Sequence, residues 1–296
     1  ELVDIINQCG VPPGVVNLLS GDPASIASQL ISSDTVKKIS LTGSTRVGKI
    51  VLKQAAEKIQ RVTMELSGHA PFIVHGDANI EKATDIAMAA KYRNNGQVCI
   101  SPSRFYIHES KKKQFTELFV KKTLKLKIGN GLDKDVQLGP ITTKKRLDEI
   151  EKLVEITKKE GAEILCGGKR PSGFNKGYFY EPTIFDNVKD NFKIMTEEPF
   201  GPLTPLLTFK SFDEVIKKAN DQVAGLAAYV CSSSIELSNK TSEALETGMV
   251  AVNTPFISNA ETPFGGIKQS GYGREGGSFG IKDYLNIKYT HLGLKG

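Results

Sequence analysis

The chain has 296 residues, enough for one large domain or two ordinary ones. Its 39% hydrophobic and 24% charged residues describe a globular protein, and no apolar run approaches the roughly 20 residues of a membrane helix. A net charge of +6, with lysines spread along the whole chain, argues weakly for anionic small molecules and hardly at all for nucleic acid.

Glu1 to Gln8 reads as the end of an amphipathic helix, with Leu2, Ile5 and Ile6 at apolar spacing, Gly10 as C-cap and Pro12-Pro13 as the stop. Its first turns are missing, and the opening Glu1-Leu2-Val3-Asp4 has neither an initiating Met nor a signal peptide. The expectation is a start inside a longer protein. A short strand is predicted over Val15 to Leu19, a helix over Pro23 to Ile31, a strand over Val36 to Leu41, a helix over Val47 to Ile59 and a strand over Arg61 to Leu66. This alternation predicts a parallel, doubly wound α/β sheet.

Asn79 to Arg93 reads as a helix with Ile80, Ala83, Ile86, Ala87 and Ala90 on one face. A strand over Arg104 to His108, helices over Lys111 to Leu126 and Thr142 to Glu160, and a strand over Ala162 to Leu165 follow. Another strand is expected around Tyr178 to Tyr180. Beyond it come helices over Phe212 to Asn220 and Ser234 to Thr247, with strands over Ala227 to Val230 and Met249 to Asn253. The glycine-dense section Gly265 to Gly280 reads as loops leading to a helix, and Asp283 to His291 as a closing strand.

Two segments are chemically suggestive. Cys99 closes Asn94-Asn95-Gly96-Gln97-Val98-Cys99, between a helix and a strand. Without context a lone cysteine reads as a small buried hydrophobe, but Gly96-Gln97 and Pro102 place this one on a bent connection where N–H groups can activate it. Glu65 sits in Thr63-Met64-Glu65-Leu66. It reads either as an outward-facing strand residue or as a carboxylate at the carboxyl end of a parallel strand, where ligands of open sheets gather. Together they suggest covalent chemistry through sulfur with a carboxylate base.

Thr42-Gly43-Ser44-Thr45 lies between a strand and a helix whose free N–H groups could meet a phosphate, although a plain turn reads as well. Glu198-Pro199-Phe200-Gly201-Pro202 sets a carboxylate beside an aromatic ring, fit for ribose hydroxyls and a planar ring or simply an ordered turn. The other cysteines, Cys9, Cys166 and Cys231, read as structural. With no C-x-x-C and no histidine at ligand spacing, no metal site is assigned and a reduced, cytoplasmic compartment fits.

These segments, with Pro263-Phe264-Gly265-Gly266 and in this order, resemble the aldehyde dehydrogenase superfamily along essentially the whole chain. The resemblance implies that Cys99 is the nucleophile and Glu65 the general base. It implies that Gly43 and Ser44 lie at the pyrophosphate of NAD or NADP, with Leu66 also at the cofactor. Glu198 would hold the nicotinamide ribose and Phe200 would pack near the nicotinamide. Ile257-Ser258-Asn259, Lys268-Gln269-Ser270-Gly271 and Tyr284-Leu285-Asn286 look like the succinate-semialdehyde dehydrogenase branch. That branch grips the substrate carboxylate with an arginine and a late-loop serine, which here are Arg93 and Ser258. Arg93 also reads as a cation at a helix C-terminus.

The chain departs from the family in three places. Ser67 stands where a glycine is usual, which costs strain if the position needs φ > 0. Ser101 stands where some members carry a second cysteine, so no disulfide switch is expected. Family members are longer at the N-terminus. There they carry a Pro-Trp-Asn segment whose asparagine helps form the oxyanion hole, and this chain has no Trp.

The expected fold is therefore aldehyde-dehydrogenase-like α/β. Residues 1–66 form the later part of a Rossmann-type cofactor domain, 67–253 the thiol-bearing domain, and 254–296 an interface return ending in an oligomerisation strand. The expected activity is oxidation of a semialdehyde, with a homodimer or homotetramer as the assembly. The competing expectations are a truncated, incompetent fragment and a thioester-forming acyltransferase without a nicotinamide step.

Overall fold

In the computed structural model, which describes residues 1–294, α1 (Leu2–Gln8) is followed by an alternation of helix and strand: α2 (Pro23–Ser32), β1 (Lys38–Thr42), α3 (Thr45–Ala56) and β2 (Arg61–Glu65). Short polar side chains set where the two longer helices start. Asp22 accepts the Ser25 N–H at 2.8 Å and Ser44 accepts the Val47 N–H at 3.3 Å, each satisfying a donor the helix leaves free. β1 and β2 run parallel, with Thr42 opposite Glu65. Ile31, Val51, Ala55, Met64 and Leu66 fill the layer between strands and helices. Gly48 lets α3 lie close on it, since a Cβ there would stand 2.7 Å from the Leu66 methyls.

A larger sheet is built from β3 (Ala70–Val74), β4 (Pro102–His108), β5 (Glu163–Cys166), β6 (Thr183–Asp186) and β7 (Leu203–Phe209). Beyond the two-residue β8 (Ala224–Gly225), β9 (Ala227–Cys231) and β10 (Met249–Val252) complete it. Its order is β10-β9-β3-β4-β7-β6-β5, parallel except for the antiparallel edge strand β5. The helices between these strands are α4 (Ile80–Tyr92), α5 (Glu109–Thr123), α6 (Lys144–Lys159), the short α7 (Lys193–Thr196), α8 (Phe212–Asn220) and α9 (Ile235–Ala244).

The period of two decides which side chains meet which helices. Phe72, Val74, Phe105, Ile107, Leu206 and Tyr229 share a core with α4 and α5, whereas Ile73, Tyr106, Leu207, Ala228 and Val230 share one with α6 and α8. Both faces are covered, so the strands carry no polar alternation.

The chain then returns to the first sheet. β11 (Ile267–Lys268) pairs with β8, and β12 (Gly271–Tyr272) pairs antiparallel with β2, placing Gly271 opposite Glu65. A short α10 (Gly277–Gly280) follows. No helix among the described residues is long and apolar enough to cross a membrane.

Several expectations need correcting. Val15 to Leu19 forms no strand: the segment is irregular, and Val15, Leu18 and Leu19 are exposed. Tyr178 to Tyr180 is irregular too, and the strand lies instead at Thr183–Asp186, where β7 offers a partner. The tail from Asp283 to His291 is not a strand. A 3₁₀ turn over Ile281–Tyr284 gives way to a segment with no ladder partner among the described residues. In each case the backbone polar groups lack the neighbour that a strand requires. Conversely, the sequence reading passes over β3, β6 and β7. Pro71 and Pro205 remove ladder donors and argue against sheet strands, yet a register irregularity between Ala70 and Pro71 accommodates the first.

Candidate active site

The thiol is presented by a forced turn. α4 ends at Tyr92, and Asn94, Asn95 and Gly96 then take φ of 50°, 58° and 71° in succession. Asparagine and glycine are the residues that tolerate this left-handed region. The turn is pinned on both sides. Asn95 donates to the Gly139 carbonyl at 2.9 Å, and the Gln97 side chain accepts the Thr142 N–H at 2.8 Å. A Cβ on Gly96 would meet the Gly201 carbonyl at 2.3 Å, and one on Gly68 would meet the Cys99 carbonyl at 2.2 Å. Beyond the thiol, Tyr229 OH donates to the Ile100 carbonyl at 2.9 Å.

Two carboxylates act on this half-buried thiol. Burial, then Glu198, then Glu65 push the Cys99 pKa up to about 11, while the Cys99 and Ile100 N–H groups pull it down. Glu65 ends β2 and is buried, and neither carboxylate oxygen has a hydrogen-bond partner among the described residues. Its Oε1 lies against Gly265, where a Cβ would stand 2.7 Å away. Burial raises the Glu65 pKa to about 8, with Glu275 adding to the rise and Arg274 opposing it. A buried acceptor left unpaired is costly, and such groups concentrate at functional sites.

Glu198 is half-buried and accepts the Gly68 N–H at 3.3 Å. Burial lifts its pKa to about 7, opposed by Gly68, Ser67, Arg146 and Lys91. Phe200 holds φ of 41°, an uncommon value for an aromatic residue, and the Arg146 guanidinium lies 5.5 Å from its ring centroid. Gly43 donates its N–H to the Glu65 carbonyl at 2.9 Å, and Ser44 caps α3. The N-terminus of α3, the Glu65 carbonyl and the Gly68–Glu198 contact are thus joined through a single strand end. Leu66 is oriented differently: its side chain is buried against α3 and its N–H donates to Ser270 O at 2.9 Å, so only its backbone carbonyl remains for a ligand.

The substrate candidates are less closely gathered. Arg93 is exposed at the end of α4, near enough to Tyr229 to act on its hydroxyl. Ser258 is exposed and lines a cavity of about 570 Å³ with β10, Phe256 and Ile257, a cavity that includes neither Cys99 nor Arg93. Ser67 does not adopt positive φ, so the strain a serine could cause is not incurred.

Sequence reasoning misses Lys91. It is fully buried, its Nζ has no hydrogen-bond partner among the described residues, and burial lowers its pKa to about 7 against the attraction of Glu198. In the sequence it resembles an ordinary last-turn lysine, and only its place among Ala83, Ala87 and Ala90 hints at burial.

The sequence model described as "Aldehyde dehydrogenase family" matches residues 1–290. The chain is 43% identical to succinate-semialdehyde dehydrogenase [NADP(+)] of Escherichia coli K12 over 99% of its own length and 60% of that protein's. It is 42% identical to glutarate-semialdehyde dehydrogenase of Pseudomonas putida KT2440, again over 99% and 60%. Among solved structures, an E. coli NADP-dependent enzyme superposes with a TM-score of 0.97 at 43% identity, covering 99% of this chain and 60% of that one. An NAD+ complex of a Bacillus cereus aldehyde dehydrogenase does so at 0.96 and 37%, covering 99% and 59%. The chain thus spans about 60% of the length of the curated relatives it matches.

Proposed function

The chain belongs to the aldehyde dehydrogenase family, and we propose that its site oxidises a semialdehyde, most favourably succinate semialdehyde, to the acid with NAD+ or NADP+. The observation that carries this reading is the buried, unpartnered Glu65 carboxylate at the end of β2, acting on the thiol of the Asn94–Cys99 turn. We assign residues 1–66 to the cofactor-binding unit, 67–253 to the thiol-bearing unit and 254–296 to the return segment. The exposed apolar tail, with Ile287, Tyr289 and Leu292, supports a homo-oligomer.

The residues present fit a nicotinamide dinucleotide. Gly43 and Ser44 open a helix N-terminus suited to a diphosphate, the half-buried Glu198 offers a carboxylate to ribose hydroxyls, and Phe200 offers a ring face. Bound there, the nicotinamide supplies the oxidant that takes hydride from the substrate carbon.

In this chain the Cys99 thiol releases its proton to solvent, and the thiolate sulfur forms a bond to the aldehyde carbon as the carbonyl π bond opens onto oxygen. The Cys99 N–H supports the oxygen that becomes negative. Oxidation of the adduct leaves an acyl group on sulfur. Glu65, with a pKa of about 8, then takes a proton from water. The resulting hydroxide adds to the acyl carbon, and the carbon–sulfur bond breaks to return the thiolate. Arg93 and Ser258 would hold the distal carboxylate of the substrate. A charge-assisted contact of that kind contributes roughly 1.5–3 kcal/mol.

The thiol pKa of about 11 favours a second reading, in which Cys99 stays protonated and the chain alone does not turn over. Absorbance of reduced cofactor, with NAD+ or NADP+ and succinate semialdehyde, separates the two. Steady turnover supports the oxidation, and absence of turnover with a thiol that resists alkylation at neutral pH supports the second reading. In an active sample Arg93→Ala raises KM for succinate semialdehyde far more than for an uncharged aldehyde, whereas equal changes sink the assignment of Arg93.

A further inference from the structure

Ser270 has no part in the chemistry above, yet it is fully buried where the two sheets meet. Its hydroxyl accepts the Gly225 N–H at 3.0 Å and donates to the Ser67 carbonyl at 2.7 Å. On the other side of that same peptide group, the Gly68 N–H donates to Glu198 Oε1 at 3.3 Å. The Ser270 carbonyl accepts the Leu66 N–H at 2.9 Å, so this one residue holds the segment after Glu65 by two bonds. Gly266 makes room for it, since a Cβ there would stand 2.6 Å from the Ser270 Cβ.

We propose that Ser270 is a positioning residue for Glu198, acting through the Ser67–Gly68 peptide group. That peptide is trans and therefore planar, with its carbonyl and its N–H pointing to opposite sides. Fixing the Ser67 carbonyl on Ser270 aims the Gly68 N–H the other way, at Glu198. A hydroxyl has one proton to give. With the Gly225 N–H on its oxygen, that proton is committed to Ser67, and each bond from Gly225 to Glu198 polarises the next. Alanine at position 270 would leave the Gly225 N–H and the Ser67 carbonyl unpaired and the peptide free to turn. The bonded groups come from β8, the turn between β11 and β12, the end of β2 and the segment after α7, so the return segment is tied to the carboxylate. The consequence for binding rests on the proposed cofactor function of Glu198. A carboxylate held in place before the ligand arrives reduces the ordering that binding must impose.

The test uses the whole chain, amide hydrogen exchange followed by NMR, and calorimetric titration with NAD+ and NADP+. Ser270→Ala should speed exchange of the Gly68 amide about tenfold more than that of the Ile73 amide, which reports the core of the larger sheet. It should weaken cofactor binding about fivefold, the equivalent of one net hydrogen bond. Ser270→Thr keeps the hydroxyl and should restore most of both. Glu198→Gln removes the charge at the far end and should also speed exchange at Gly68, and beside it Ser270→Ala should weaken binding clearly less. Equal acceleration at Gly68 and Ile73 would mark the hydroxyl as merely structural and overturn the positioning role, as would parent affinity in Ser270→Ala. If Ser270→Ala does not fold, Glu198→Gln decides: faster exchange at Gly68 supports the role and unchanged exchange overturns it. A parent that binds neither cofactor would contradict the proposed function, and exchange at Gly68 would still decide the role of Ser270.

Discussion

At the scale of the residue, the site is defined by groups held away from their ordinary ionisation. Burial and two neighbouring carboxylates keep Cys99 protonated up to about pH 11, and burial keeps Glu65 protonated up to about pH 8. Above pH 8 Glu65 is charged, and a negative neighbour disfavours a thiolate. Glu65→Gln removes that charge, so the inflection of iodoacetamide labelling at Cys99 should move to lower pH. An unmoved inflection would show that the two groups do not interact. Cys99 and Glu65 were legible in the sequence because motif residues flank each of them. Lys91 was not, because a buried lysine and a solvated one look alike until the packing of α4 is known.

At the scale of the element, the thiol turn depends on the absence of side chains. Gly68 and Gly96 each bring backbone to within a distance that a Cβ would violate, against the Cys99 and Gly201 carbonyls. Gly68→Ala puts a Cβ 2.2 Å from backbone that cannot rotate away. It should destabilise the fold by about 1–3 kcal/mol and alter the rate at which Cys99 is labelled, with chemical denaturation and labelling kinetics as the measurements. Parent stability and parent labelling would show that the turn is not braced at Gly68. The helices were legible from their caps and apolar spacing, as α2 and α4 show. Strands with internal proline were not, because β7 carries Pro205 within a parallel pair that only the assembled sheet reveals. Tails without a ladder partner misled in the other direction: Asp283 to His291 has strand-like residues but pairs with no strand among the described ones.

At the scale of the whole molecule, two sheets meet along one line, and the candidate chemistry lies on it. β2 brings Glu65 to that line from the smaller sheet, and the turn after α4 brings Cys99 from the larger. β12 crosses back to pair with β2 beside Glu65. The alternation of helix and strand foretold α/β layers, but not that β1 and β2 would form a separate sheet, because its third strand, β12, joins from more than 200 residues away. The central claim is that the thiol carries the acyl group and the carboxylate releases it. Rapid mixing of Glu65→Gln with NAD+ or NADP+ and succinate semialdehyde tests this most directly, with Cys99→Ala alongside. The expected result is a stoichiometric burst of reduced cofactor followed by a stall in Glu65→Gln, and no burst in Cys99→Ala. Steady turnover of Glu65→Gln at the parent rate, or a burst from Cys99→Ala, would contradict it.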